Sequence, residues 1–227
     1  MLNMDRKQPL SLALDDIDWQ PSPLSGVWRK PLEREAAESG WVTSVVRYAP
    51  NSHFSPHLHP LGEEILVLEG VFSDERGDYP AGSYLRNPPG SSHAPFSLDG
   101  CVIFVKLNQF SPHDNLTVAR NTLLTTGLQR LHRDQSTYLF NCSEQSKADQ
   151  ARQVTMTQAG LVELLVVSGT VSITSQETSA TTTLTAMHWL RLPNAQLTIT
   201  LTSNDASVWI KLEHADLTEP ESSAIGD

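Results

Sequence analysis

A chain of 227 residues with 39% hydrophobic and 19% charged residues has globular composition and can form one large domain or two small ones, which excludes disorder, collagen and coiled coil. Its 26 acids outnumber 16 bases, giving a net charge of −10 that repels phosphate backbones and anionic lipid, so nucleic acid and membranes are not expected partners. Two cysteines, Cys101 and Cys142, have no CxxC spacing; they supply neither a disulfide framework nor a thiolate zinc site, and a reduced cytoplasmic compartment is expected.

In chain order, residues 1–24 carry Pro9, Pro21 and Pro23 without a sustained period, which predicts an extended arm or short helix that packs loosely. The apolar stretch Leu10 to Leu14 is short and runs into Asp15 and Asp16, so no signal peptide is expected. From residue 25 onward, short apolar runs are broken by Gly, Pro, Asn and Asp at intervals of about 8 to 12 residues, the pattern of an all-β sandwich or barrel. Trp41 to Tyr48, Ile65 to Leu68, Cys101 to Val105 and Leu197 to Leu201 are the clearest strands, the last with Leu197, Ile199 and Leu201 on one face and threonines on the other. The longest apolar run, Cys101 to Val105, is far below the roughly 20 residues of a membrane span, so a soluble protein is expected. Pro31 to Ser39 is the clearest helix-compatible stretch. The tail from Glu213 to Asp227 holds five acids and no Lys or Arg, and is expected to fray.

Strands recur at fixed spacing. Glu64 to Val71 matches Glu163 to Thr170 at an offset of 99, whereas Tyr84 to Pro88 matches Trp189 to Pro193, and Ile103 to Leu107 matches Val208 to Leu212, at 105. Two copies of one β-fold are therefore expected, over residues 25–115 and 120–214, joined near 111–130, with six residues inserted in the second copy. An arm over 1–24 and an acidic tail over 215–227 would flank them.

The first copy holds five of the eight histidines, three of them in the segment Asn51 to Glu64. On a strand His57 and His59 point to the same face, so two imidazoles converge. Glu63 shares their parity and Glu64 does not, but the turn at Pro60 and Gly62 can break parity, so both carboxylates remain candidates on this ground. The Pro88-Pro89-Gly90 turn delivers His93 as a fourth donor. Imidazoles with one carboxylate suit divalent Zn, Fe, Mn or Ni with one or two positions left open.

This segment resembles the cupins. Their first motif, G(X)5HXH(X)3,4E(X)6G, is met from His57 and His59 through Glu63 to Gly70, with Asn51 at the leading Gly; their second, G(X)5PXG(X)2H(X)3N, is met by Gly82, Pro88, Gly90 and His93, with Ser97 for Asn. Gly26 to Leu32, Gly62 to Asp78 and Arg86 to His93 are similar to the ChrR-type cupin domain of a bacterial anti-sigma factor, whose relatives include dioxygenases that cleave diketones and hydroxyacetophenones. The resemblance implies a bicupin, that is, two antiparallel β-barrel or jelly-roll (double-stranded β-helix) domains. It also implies one divalent metal held by His57, His59, Glu63 and His93, with zinc expected as isolated and Fe, Mn or Ni as alternatives. In the second copy Met156, Gln158, Val162 and Thr198 stand at the four ligand positions, so a degenerate domain without metal is expected. His132, His188 and His214 fall outside ligand positions, and Cys101 reads as an inert core thiol.

The resemblance implies a ChrR-like module holding a metal for a regulatory or sensory role. The alternatives are an iron dioxygenase for a small diketone or hydroxy-aryl ketone, and a small-molecule binding protein with a metal-anchored ligand. A sigma factor is not an expected partner, because residues 1–24 carry no His or Cys for the helical zinc domain that binds it. A homodimer is compatible with the sequence.

Overall fold

Side-chain alternation sets the architecture strand by strand. In Val42–Tyr48 the residues Val42, Ser44, Val46 and Tyr48 turn to one side and Thr43, Val45 and Arg47 to the other. The computed structural model describes residues 1–37, 39–132, 136–142, 152–156, 159–213 and 217, and among them every strand pairing is antiparallel. Helical geometry there is confined to two 3-10 turns, Leu14–Asp16 and Thr122–Leu124. The acidic tail lies almost wholly outside the described residues, as do Gln158 and His214.

The chain divides into two compact units, Met1–Asp5 with Ile17–Leu124, and Arg6–Asp16 with Thr125–Asp227. In the first, the main sheet runs Val118–Asn121, Ser83–Asn87, Glu63–Asp74, Cys101–Leu107, Val42–Tyr48, Val27–Arg34. In the second, the order is Leu10–Ala13, His188–Pro193, Leu161–Ser168, Ser207–Glu213, Thr137–Asn141, Gly127–His132. The inner four strands correspond one to one, so the sequence repeat is a structural repeat, and the fold is an all-β bicupin with a degenerate second copy. The insertion also has a place. Val71 pairs with Pro80 across the first hairpin and Thr170 with Thr185 across the second, so all six extra residues lengthen that hairpin.

A β-bulge is duplicated as well. On Glu63–Asp74, Val67 pairs with Ile103 and Glu69 with Val102, which leaves Leu68 as an extra residue; on Leu161–Ser168, Val166 pairs with Val208 and Ser168 with Ser207, which leaves Val167. One extra residue reverses which parity faces inward. Before the bulge Ile65 and Val67 enter the core with Leu85, Ile103 and Val105; after it Phe72 does.

Two expectations fail. The described residues of Pro31 to Ser39 are not helical: those through Arg34 complete a strand, because Val27, Leu32 and their neighbours are buried in a sheet that offers the backbone ladder partners. The arm does not pack loosely either. Leu10–Ala13 pairs with His188–Pro193 along its whole length, the Leu14 amide donates to the Met187 carbonyl at 2.8 Å, and the Leu14 side chain is fully buried. Truncating such a side chain costs about 2–5 kcal/mol. Leu14→Ala should therefore lower the unfolding free energy by about that amount in urea titration; a loosely packed arm would leave the midpoint unchanged.

Candidate metal centre

Two short strands and one long one bring the donor groups together. His57–His59 pairs with Ser91–His93 so that His57 lies directly opposite His93, and the period of two returns His59 to the same face. The chain then reverses through Pro60, Leu61 and Gly62 to start the long strand at Glu63. Gly62 adopts a φ of 81°, and a Cβ there would collide with the Phe110 ring, so the turn needs glycine on both counts. The amides of Gly62 and Gly90 both donate to the His59 carbonyl, at 3.3 and 2.9 Å, which ties the two ligand-bearing turns to one atom. Asn51, at the motif's leading glycine, has a φ of 58°, a left-handed conformation that Asn tolerates better than most side chains.

One donor atom from each of His57, His59, Glu63 and His93 lies within 4.8 Å of the others. The three ring centroids are 4.8 to 5.1 Å apart with planes inclined by 65 to 76°, so the rings surround a point rather than stack. Glu63 Oε2 stands 3.4 Å from His59 Nε2 and 3.3 Å from His93 Nε2. Both of those Nε2 atoms are buried with no hydrogen-bond partner. Leaving buried polar atoms unsatisfied costs about 1–3 kcal/mol each, and a cation between them removes that cost. The donor set fits a divalent metal ion.

The charge state of the pocket is suited to a cation. Burial, then the neighbouring rings of His93 and His57, lowers the pKa of His59 to about 3, so this ring is neutral near pH 7. Burial likewise lowers that of His93, although its bond to Asp74 opposes the shift. Burial raises the Glu63 carboxyl to about 7, against a hydrogen bond from Asn87.

Behind the ligands a hydrogen-bond circuit fixes their orientation. His57 Nδ1 donates to the Ser55 carbonyl at 3.1 Å and His93 Nδ1 donates to Asp74 Oδ2 at 3.2 Å, which leaves each Nε2 lone pair for the centre. Arg76 Nη2 donates to Asp74 Oδ2 at 2.8 Å and to Asn87 Oδ1 at 3.0 Å, and Asn87 Nδ2 donates to Glu63 Oε2 at 2.9 Å. The ring of contacts thus runs from one ligand, His93, to another, Glu63. Burial opposes ionisation of Asp74, but the Arg76 side-chain and backbone donors hold its carboxyl below the usual range.

Sequence reasoning missed Asp74, Arg76 and Asn87. Asp74 has the opposite parity to Glu63 on the same strand, and only the bulge at Leu68 turns both inward. On Ser83–Asn87 alternation puts Tyr84 and Arg86 on one face and Asn87 on the other, without saying which face meets the site. The structure puts those two on the other side of the sheet, where the Tyr84 hydroxyl donates to Glu64 Oε1 at 2.6 Å, and Asn87 on the site side. Glu64 is thereby engaged away from the centre. Burial pushes the Cys101 thiol up to about 11, consistent with an inert core position.

In the second unit Met156 pairs with Leu197, the relation that His57 has to His93. The register thus assigns Leu197, and not Thr198, to the place of His93. Thr198 bonds Thr155 at 3.2 Å on the opposite face. Met156, Val162 and Leu197 all join the apolar core. His188 Nε2 lies 2.8 Å from Ser11 Oγ, and His132 is buried apart from any described ligand cluster.

Residues 7–111 match the family model of the ChrR cupin-like domain. This stretch, just under half of the chain, resembles a ChrR-type cupin. No curated protein matches the chain. Among solved structures it is similar to a candidate dioxygenase from Nostoc punctiforme, with 14% identity, 94% of this chain and 87% of the other covered, and a TM-score of 0.67. It is similar to the pirin YhhW of Escherichia coli in complex with nickel(II), with 14% identity, 91% and 99% coverage and a TM-score of 0.67. Bacillus subtilis oxalate decarboxylase, a structure studied for its Mn(II) centres, matches at 10% identity, 92% and 78% coverage and a TM-score of 0.58. At these identities the shared property is the cupin fold.

Two outcomes follow for this four-residue centre. Asp74→Asn, which weakens the acceptor behind His93, should lower metal affinity about 10-fold or more in a chelator competition; affinity within twofold of the parent would remove Asp74 from the support of the site. Metal uptake should also release protons with a defined pH dependence. Glu63, with its pKa raised to about 7, carries a proton at pH 6 that an incoming cation must displace, and has mostly lost it by pH 8. Calorimetry in buffers of different ionisation enthalpy should show close to one more proton released at pH 6 than a Glu63→Gln variant releases, and little difference at pH 8.

Proposed function

We propose that the first unit is a divalent-metal cupin that binds a small oxygen-bearing molecule at an open face of the metal. Zinc is the ion expected on isolation and iron the ion of an active form. The observation that carries this reading is a cavity of about 590 Å³ that reaches His57, His59 and Glu63. A closed structural site would have no use for such a space, whose size is that of small-molecule pockets. The bound ion would supply Lewis-acid polarisation of a ligand oxygen and, as iron, redox chemistry with dioxygen. The protein's own groups do the rest. Ser55 and Asp74 keep the imidazoles of His57 and His93 in one tautomer, Asn87 steadies the Glu63 carboxylate, and Val42, Val46, Ile103 and Val105 line the cavity and exclude water from the bound molecule. A candidate dioxygenase is among the similar structures, and a diketone or hydroxy-aryl ketone is the substrate class that the cupin resemblance suggests for an oxygenase of this kind.

The second reading is a regulatory or sensory module, which the ChrR-type family match favours. Anaerobic loading with Fe(II), then air and a panel of diketones and hydroxy-aryl ketones, separates the two. The enzyme reading expects oxygen consumption that His57→Ala abolishes. Absence of turnover with every metal, together with a zinc site lacking exchangeable water, would establish the sensory reading instead.

A further inference from the structure

Beside the donor cluster the two units fill their interiors differently. Register aligns them: Val46 pairs with Ile103 and Ser44 with Val105 in the first unit, as Phe140 pairs with Val208 and Tyr138 with Ile210 in the second. Tyr138 and Phe140 therefore occupy the places of Ser44 and Val46, and both rings are buried in the apolar core of the second unit. Along these two rows the neighbouring strands exchange only aliphatic side chains, Val67 with Val166 and Ile65 with Leu164 among them. The unit that holds the donor cluster thus has small side chains where the other has two rings, and Ser44 and Val46 line the cavity that reaches His57, His59 and Glu63.

Ser44 is the odd member of that wall. Val42 and Val46 on the same face of its strand, and its partner Val105, are all apolar. Alanine would leave the same room. Ser44 is 1% exposed, and its Oγ is buried without a hydrogen-bond partner among the described residues. Thr43, on the opposite face, shows the contrast, since its hydroxyl donates to Glu33 Oε2 at 2.8 Å and accepts from Lys106 Nζ at 3.0 Å. A buried hydroxyl left unsatisfied is a cost that an apolar residue of the same size avoids, so its place in an apolar wall calls for a ligand atom.

The register also gives the span. Val105 pairs with Ile65, two residues beyond Glu63 on its strand, so Ser44 stands two strands across and one same-face step along from Glu63. Strand geometry makes that about 12 Å between backbones, with both side chains turned inward. A polar atom bonded to Ser44 Oγ then lies about 6–8 Å from the donor centre, roughly the breadth of one substituted ring. We propose that the cavity takes a molecule with two oxygen-bearing ends and a ring-sized apolar body, its near oxygens at the metal and its far hydroxyl or carbonyl hydrogen-bonded to Ser44. The inference rests on the metal-centred reading of the cavity and adds what the far wall selects. Apolar pockets use a few placed polar groups in this way to fix a ligand's orientation. Ser44 is the specificity-determining residue, and Val46 makes the room.

The test is calorimetric titration of the zinc-loaded full chain with benzohydroxamate, whose hydroxamate is the metal-binding end, and with its 3-hydroxy and 4-hydroxy derivatives. At least one hydroxy derivative should bind about fivefold or more tightly than the plain compound. Ser44→Ala should cut that preference below about twofold while leaving the affinity for benzohydroxamate within about threefold. Equal affinity of all three compounds for the unaltered protein overturns the proposal, whatever the fate of the variants. A preference that survives in folded Ser44→Ala overturns it as well. Val46→Phe, which copies the second unit, should weaken all three compounds about tenfold or more while zinc is still taken up; undiminished binding removes the probes from this cavity and overturns the proposal. The metal reading fails separately. If the chain takes up no zinc, 4-fluorophenol followed by fluorine NMR probes the metal-free protein. Binding about threefold weaker in Ser44→Ala then leaves the hydroxyl site standing, and equal binding overturns it. Zinc uptake without a hydroxyl preference removes the Ser44 site alone.

Discussion

Four donor groups gathered around one point, three of them buried, are the constraint on which the first unit depends. Three imidazoles and a carboxylate crowd within 4.8 Å, two ring nitrogens lack partners, and burial has driven His59, His93 and Glu63 toward their uncharged forms. Such a cluster gains little from the folded state without a cation and a good deal with one. The surrounding structure reads as the means of holding it. Two turns are tied to the His59 carbonyl, glycine is required where Phe110 leaves no room, and the Arg76 circuit links ligands on different strands.

The second unit is the same frame with the constraint removed. It keeps the strand order, the bulge and the pairing that sets His57 against His93, yet fills those places with Met156 and Leu197, which pack as core. Apolar groups at these positions need no ion, since their burial is favourable by about 1.5–3 kcal/mol per large side chain. The comparison separates what the fold requires, which both units share, from what the metal requires, which one has kept.

Much of this was legible in the sequence, because strand periodicity and ligand spacing are local. The shared offset of two segment pairs revealed the duplication, and the His-x-His spacing placed two donors on one face without any knowledge of topology. What escaped depends on events between strands. The bulge at Leu68 reverses facing within a single strand, so Asp74 could not be assigned to the same side as Glu63 by counting. A constant offset likewise selected Thr198, where the strand register selects Leu197. The arm was misjudged for a similar reason: four residues carry no period of their own, and their strand exists only because Trp189 and its neighbours offer an edge.

That arm also bears on how the chain reaches its native state. Leu10–Ala13 is synthesised well before its partner His188–Pro193, which follows only after the whole stretch Ile17–Leu124 of the first unit. The strand must wait, unpaired, while the residues between the two are synthesised and the first unit can already close. Non-local pairing of this kind is slow and exposes an edge in the interim. Completion of the second unit's sheet is therefore a late event in biosynthesis, timed by the arrival of the C-terminal strands.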